Sequence, residues 1–227
     1  MITARTRLVA LIGHPVAHSL SPRMQNAAFA ARGLDWAYVA LDVPPERLEG
    51  ALRGLVALGF AGANVTAPHK VAAAELVETD EPSVNTLVLR DGRIQGRSTD
   101  AAVLDGLPAE RAAILGDGGA AAAFRRALPQ ARVFSRRGEW PPDLGDADLV
   151  VNATAERREI VAELAAGQTL VDLPYPETTT AVAARAAGAA VVGGLEVLAA
   201  QGAASFELWT GMPAPVHVMR AALGLAP

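Results

Sequence analysis

Lys70 and Asp100 are the two side chains best suited to move a proton in this sequence. Each stands in a polar cluster at the end of an apolar run, Lys70 in NVTAPHK and Asp100 in STDA. A lysine and an aspartate that face each other form a coupled acid–base pair. Such a pair can give or take a hydroxyl proton while hydride moves to or from a carbonyl carbon. Spacing alone does not bring the two together, and a lone lysine opening a helix is commonly a surface residue. A second polar group is HSLSP, residues 18–22. Ser21 followed by Pro22 reads as the N-cap and first position of a helix, with Gly33 as its stop. Ser19 lies one residue outside that arrangement, and capping leaves its hydroxyl unexplained.

The third group is LGDGGAAAAF, where Gly116, Gly118 and Gly119 follow a strand-like run and open an alanine-rich helix. A dinucleotide site needs this context, because the backbone can approach a pyrophosphate placed on the helix N-terminus. The spacing is GxGGA, a partial match to GxGxxG, and the same glycines suit a tight strand-to-helix turn without ligand. Asp117 would repel a pyrophosphate, and is expected to cap the helix and point away. At the end of the next strand, where an NAD site places an acid, the sequence has Ser135-Arg136-Arg137. Guanidinium groups there suit a 2′-phosphate, which favours NADP over NAD. The plain alternative is a solvated arginine pair.

The elements that must position these groups alternate between strand and helix patterns. LVALIG, WAYVALDV and GANVTA are strand-like and are separated by helical segments; NTLVLRDGRIQG reads as a hairpin turning at Asp91-Gly92. From Arg111 a fresh β–α alternation begins: AAILG, the glycine loop and its helix, ARVFS, DLVVNAT, TLVDLP, TTAVAARAAG and AAVVGG. The pattern predicts an α/β chain with parallel sheet covered by helices. Residues 1–102 together with 201–227 are expected to form one domain, and 103–200 a nucleotide-binding one. The closing segment is expected to be a helix pair returning to the first domain.

Bulk composition narrows the function classes. Hydrophobic residues make up 51% of the 227, enough for a buried core. The net charge of −4, without a basic stripe, speaks against nucleic-acid partners. The absence of cysteine excludes disulfides and thiolate metal sites, and four scattered histidines lack metal-ligand spacing. The N-terminal LVALIG is too short for a signal-peptide core and reads as a first strand. No apolar run is long enough to span a bilayer, so a cytoplasmic protein is expected.

Taken in order, HSLSP, NVTAPHK, SVNTL, STD, GDGGAA, NAT, DLPYP and GGLEVLAAQGAASFELWTG resemble the shikimate dehydrogenase family over nearly the whole chain. The ordered set is far more specific than any single member. The resemblance implies a mixed α/β substrate domain, completed by C-terminal helices, beside a Rossmann-like NADP domain. It implies NADPH-dependent reduction of 3-dehydroshikimate to shikimate, a step of aromatic amino-acid biosynthesis, in a cleft between the domains. It makes Lys70 and Asp100 the catalytic pair. Ser19 and Ser21 would bind the substrate carboxylate, Thr66, Asn85 and Gln201 its ring hydroxyls, and Tyr175 would line the pocket. Gly116, Asp117, Gly118, Gly119 and Ala120 would take the pyrophosphate, and Ser135, Arg136 and Arg137 the 2′-phosphate end. Asn152 and Thr154 of NAT and Gly194 of GGLEV complete the cofactor set, and no metal is implied. Gln201 could instead be a polar residue on an exposed helix face, and Tyr175 a packing residue between two prolines.

The chain departs from the family pattern at several places. The stretch between Lys70 and Asn85 is shortened, Ser98 stands for an asparagine, and NAT continues as AERRE with a cut-back loop. Asp117 replaces a small residue, and Ser135-Arg136-Arg137 loses an asparagine while gaining a charge. The substrate set is thus better kept than the cofactor set. A quinate-acting paralogue and a shikimate-binding protein without turnover are the alternatives; retention of both Lys70 and Asp100 disfavours the second. Monomer and homodimer are both compatible with such a fold.

Overall fold

The computed structural model of the chain describes residues 2–226. The chain divides into two compact units, one of Met1–Thr99 with Ala199–Pro227 and one of Asp100–Leu198. These boundaries differ by three and two residues from those the composition suggests. The second falls inside a helix, where no turn signal marks it.

The first unit carries strands β1 (Arg7–Gly13), β2 (Trp36–Asp42), β3 (Gly62–Val65), β4 (Thr86–Arg90) and β5 (Arg93–Arg97) in the order β2-β1-β3-β4-β5. The first three are mutually parallel, while β4 and β5 run antiparallel to their neighbours. Helices α1 (Ser21–Ala31), α2 (Leu48–Ala57) and α3 (Lys70–Leu76) follow β1, β2 and β3. One face of the sheet packs Ile12, Leu48, Leu52, Leu55, Val65 and Leu87 into a core. The hairpin forms at the expected place: Asp91 (φ 53°) and Gly92 (φ 75°) both take the left-handed conformation that a tight two-residue turn requires.

The start of α1 differs from the expectation. Leu20, with φ −90° and ψ −5°, is its N-cap, and no side chain caps it. Instead Ser19 Oγ accepts the Ser21 N–H at 3.2 Å. Ser19 therefore serves a backbone donor at the helix start, and Ser21 is the first helical residue, with its hydroxyl spared. The end of α1 is as expected: Gly33 (φ 65°) donates to Ala30 O and Leu34 to Phe29 O, the paired bonds of a glycine stop.

The second unit is an all-parallel sheet of β6 (Ala112–Leu115), β7 (Arg132–Phe134), β8 (Leu149–Asn152), β9 (Thr169–Asp172) and β10 (Ala190–Val192). Its order is β10-β9-β8-β6-β7. Helix α4 (Gly119–Ala127) joins β6 to β7 and α5 (Thr179–Ala186) joins β9 to β10. The other two crossovers, residues 135–148 and 153–168, contain no helix. Leu144, Ala147, Val161, Ala162 and Leu164 from these loops are buried with Ala181 and Ala184 of α5 against one sheet face. Loop side chains thus fill the place a helix takes in most parallel crossovers.

Helix α6 runs from Gly194 to Thr210, and α7 spans Val216–Ala222. The expected terminal helix pair is present, but its first member begins seven residues before 201.

Candidate functional site

Most predicted substrate-side residues gather at one edge of the first sheet, because its topology brings four chain segments there. Thr66 N–H donates to Ile12 O and His14 N–H to Ala67 O, so the segments leaving β1 and β3 run side by side. Because β4 is antiparallel to β3, its start lies at the same edge, and Val65 N–H donates to Asn85 O at 2.8 Å. Asn85 N–H donates in turn to Arg97 O, which brings the end of β5 alongside. Strand β1 lies between β2 and β3, so the connections leaving it and its neighbour diverge. In open α/β sheets ligands bind at such carboxyl ends.

Side chains lock this edge. Asn85, 2% exposed, accepts the Thr99 N–H at 2.8 Å and donates through Nδ2 to Gln201 Oε1 at 3.2 Å. The Gln201 of α6 is therefore turned toward the sheet edge and not onto an exposed helix face. The Lys70 carbonyl accepts from Val84 N–H, placing the first residue of α3 one residue from Asn85. His69 is buried, with Nε2 2.7 Å from Val43 O, and anchors the NVTAPHK turn. Ser21 is buried at the head of α1, and among the described residues its hydroxyl has no protein partner. Lys70 belongs to the first unit, while Asp100, buried and one residue beyond Thr99, opens the second. Tyr175 also belongs to the second unit, between Pro174 and Pro176, its carbonyl 3.5 Å from Arg157 Nη1.

Beneath the edge lies a polar network that the sequence reading missed. Asn64 Oδ1 accepts from the Tyr38 hydroxyl at 2.8 Å, and its Nδ2 donates to Asn85 O, Thr86 Oγ1 and Ser205 Oγ. Thr86 and Ser205 hydroxyls lie 2.8 Å apart, and Ser205 also donates to Gln201 O. The available signals were an asparagine inside the apolar run GANV and a serine inside the apolar helix GLEVLAAQGAASFELWT.

In the second unit the glycine loop lies between β6 and α4. Gly116 has φ 116°, and a Cβ there would stand 3.1 Å from the Ala153 carbonyl, so only glycine lets the two strand-end loops approach this closely. A Cβ on Gly118 would meet nothing within 4 Å. Asp117 does not cap α4: the N-cap is Gly118, without a side-chain bond, and Asp117 Oδ2 lies 3.6 Å from Arg137 Nη1. Arg136 pairs with Glu159 at 2.9 Å and lies over the Trp140 ring. An N-terminal helix end, glycines without side chains and two arginines form a donor set that fits a phosphate-bearing dinucleotide.

Asn152 ends β8 and Thr154 lies two residues beyond it; Asn152 Oδ1 accepts from both the Thr154 N–H and hydroxyl. Asp172, 1% exposed, accepts from Asn152 Nδ2 and from the Thr178 hydroxyl, each at 2.7 Å. Burial pushes the Asp172 carboxyl above the usual carboxylate range, and these two hydrogen bonds only partly offset it. Nearby Glu156 is held below that range by the N–H groups of Arg158, Glu159 and Arg157. Gly194 follows a different rule from its loop counterparts: a Cβ there would sit 2.3 Å from Pro174 O and 2.6 Å from Leu173 O.

Comparison with known proteins is consistent with this arrangement. The model of the shikimate dehydrogenase substrate binding domain matches residues 11–87, and that of the shikimate 5′-dehydrogenase C-terminal domain matches 194–223. Shikimate dehydrogenase (NADP(+)) of Anaeromyxobacter sp. (strain K) is 43% identical over 272 aligned positions, covering 98% of both chains. The chain belongs to the shikimate dehydrogenase family. A relative of the same description from Methanopyrus kandleri is 40% identical, covering 98% of this chain and 96% of its own. The crystal structure of shikimate 5-dehydrogenase from Thermus thermophilus, in complex with NADP(H) and shikimate, superposes with a TM-score of 0.84. It is 31% identical, over 96% of this chain and 99% of that one. The 272 positions of the first alignment exceed the 227 residues of this chain, so at least 45 of them are gaps here. This chain is therefore shorter than the relatives it aligns with.

Proposed function

We propose that the protein is an NADP-dependent shikimate dehydrogenase that reversibly reduces 3-dehydroshikimate to shikimate. The observation that carries the reading is the pairing of Asn85 with Gln201, 116 residues apart in sequence, at the sheet edge where Thr66, Lys70 and the head of α1 also converge. Amide side chains can both donate to and accept from the hydroxyls of a polyhydroxylated ring, which would here exchange for the Asn85 Nδ2 bonds to Thr99 Oγ1 and Gln201 Oε1. The Ser21 hydroxyl and the Ser19 proton are available to a carboxylate at the start of α1. Lys70 Nζ gives a proton to the ring carbonyl oxygen as that carbon is reduced, and takes it back in the opposite direction. The Asp100 carboxylate accepts a hydrogen bond from the hydroxyl so formed and orients it, and Tyr175 lines the pocket.

NADPH, when bound, supplies the hydride. The residues that would hold it are Gly116 to Ala120 at the head of α4, Ser135 to Arg137 after β7, Asn152 and Thr154 after β8, and Gly194. Arg136, now paired with Glu159, would hold the 2′-phosphate. The first unit is then the substrate domain and the second the cofactor domain. Among the described residues no helix is long and apolar enough to cross a membrane. A cytoplasmic setting is part of this proposal.

The test is shikimate-dependent reduction of NADP and of NAD by purified protein, with quinate as comparison. Shikimate with NADP should be the preferred pair, and Lys70→Ala should lower kcat by about a hundred-fold or more, the scale of a lost general acid. Arg136→Ala should weaken NADP more than NAD. Shikimate binding by calorimetry without turnover on either cofactor would return the protein to a binding role.

A further inference from the structure

Asp172 is a buried carboxylate that the proposed chemistry does not use. It ends β9 in register with Asn152, which ends β8. An ionised carboxylate only accepts hydrogen bonds, so Asn152 must turn its NH2 toward Asp172 Oδ1 at 2.7 Å. The amide orientation is thereby decided, and Asn152 Oδ1 faces the other way. It accepts there from the Thr154 N–H at 3.1 Å and the Thr154 hydroxyl at 2.7 Å. The single hydroxyl proton of Thr154 is thus committed inward. Its oxygen receives the Glu156 N–H at 3.3 Å and retains acceptor capacity. The end of β8 therefore offers an acceptor, with a carboxylate behind it. Phosphates bring no proton at neutral pH and gain nothing at such a place; hydroxyls and carboxamide NH2 groups do.

We infer that Asp172 is a positioning residue for the cofactor: through Asn152 it fixes Thr154 as a hydrogen-bond acceptor, so this strand end takes a hydroxyl- or amide-bearing part of NADPH and none of its phosphates. The inference rests on the reading of Asn152 and Thr154 as cofactor residues. Its rival is a purely structural role, because Asp172 Oδ2 also accepts from Thr178, the N-cap of α5.

A double-mutant cycle separates the two. Binding of NADPH and of inorganic pyrophosphate, which carries phosphates and neither a sugar hydroxyl nor an amide, would be measured by calorimetry for wild type, Asp172→Ala, Thr154→Val and the double variant. Each single change should weaken NADPH about ten-fold, the worth of roughly one hydrogen bond. The double variant should be no weaker than the poorer single one, and the pyrophosphate should bind all four alike. Thr178→Val, which removes the cap and its bond to Asp172, should lower the Tm while leaving NADPH affinity within about two-fold. If Asp172→Ala does not fold, Asp172→Val enters the same cycle, since it fills the buried site and offers Asn152 no acceptor. Additive losses, or equal losses of NADPH and pyrophosphate, would overturn the inference alone. A wild type that binds neither probe would overturn the cofactor reading and the inference with it.

Discussion

Ser19 and Ser21 show what a residue's type and position reveal and what they hide. The dipeptide Ser21-Pro22 announces a helix start, and the helix does begin there. The division of labour is reversed, however: Ser19 accepts the Ser21 N–H, and the Ser21 hydroxyl meets no protein group among the described residues. The cleaner probe of carboxylate binding is therefore Ser21→Ala. It should leave the Tm nearly unchanged and raise the KM for shikimate about ten-fold, the loss of one hydrogen bond to a charged group. Ser19→Ala should raise the same KM and also lower the Tm, because it strips a partner from a helix-end donor. Thermal melts set beside steady-state kinetics check both, and a Tm loss confined to Ser21→Ala would reverse the assignment. Lys70, Asp100, Thr66 and Asn85 were noticeable because they stand at the ends of apolar runs, while their candidate roles, and that of Gln201 inside α6, came from the family resemblance. Asp172 was not, because its partners Asn152 and Thr178 lie 20 and 6 residues away and meet it only once β8 pairs with β9 and α5 folds back.

At the scale of elements, the alternation of strand and helix patterns was legible almost throughout, since each apolar run is bounded by glycine, proline or charge. Two things escaped it: the unbroken course of α6 and the reason some glycines stand where they do. Gly62 lies in β3 between Val9 of β1 and Val88 of β4. A Cβ there would stand 2.3 Å from Trp209 Nε1 and 2.7 Å from Leu87 O, the two atoms that bond each other at 2.9 Å. Gly62→Ala must therefore displace the indole of α6 and break that bond. It should cost about 2–4 kcal/mol, from overpacking of one methyl group plus one buried hydrogen bond, read as a lower denaturant midpoint at unchanged slope. Gly194 carries an analogous demand from the Leu173 and Pro174 carbonyls, whose backbone cannot yield as a side chain can. Gly194→Ala should destabilise the fold without any cofactor present, so a loss of NADPH binding in that variant alone does not report a cofactor contact.

For the whole molecule, the acid limb of stability sums over its carboxylates, and Asp172 enters that sum with the opposite sign from Glu156. Its folded-state pKa is raised, chiefly by burial, so the folded protein binds this proton more tightly than the unfolded chain does. Its contribution is fully present below the unfolded-state pKa and is lost as pH rises through the raised folded value. Neutral solution is therefore where the buried charge costs most. Asp172→Asn removes the titration while imposing a pH-independent loss of hydrogen bonding, so the stability difference between wild type and this variant isolates the carboxyl. That difference should move in favour of wild type as pH falls from neutrality, and level off once the ordinary carboxylate range is reached. Urea unfolding of both proteins at matched ionic strength, stepped through the acid range, measures it. A difference that moves against wild type on acidification would mean that the Asn152 and Thr178 bonds outweigh burial, and that this carboxylate stabilises the fold through its charge.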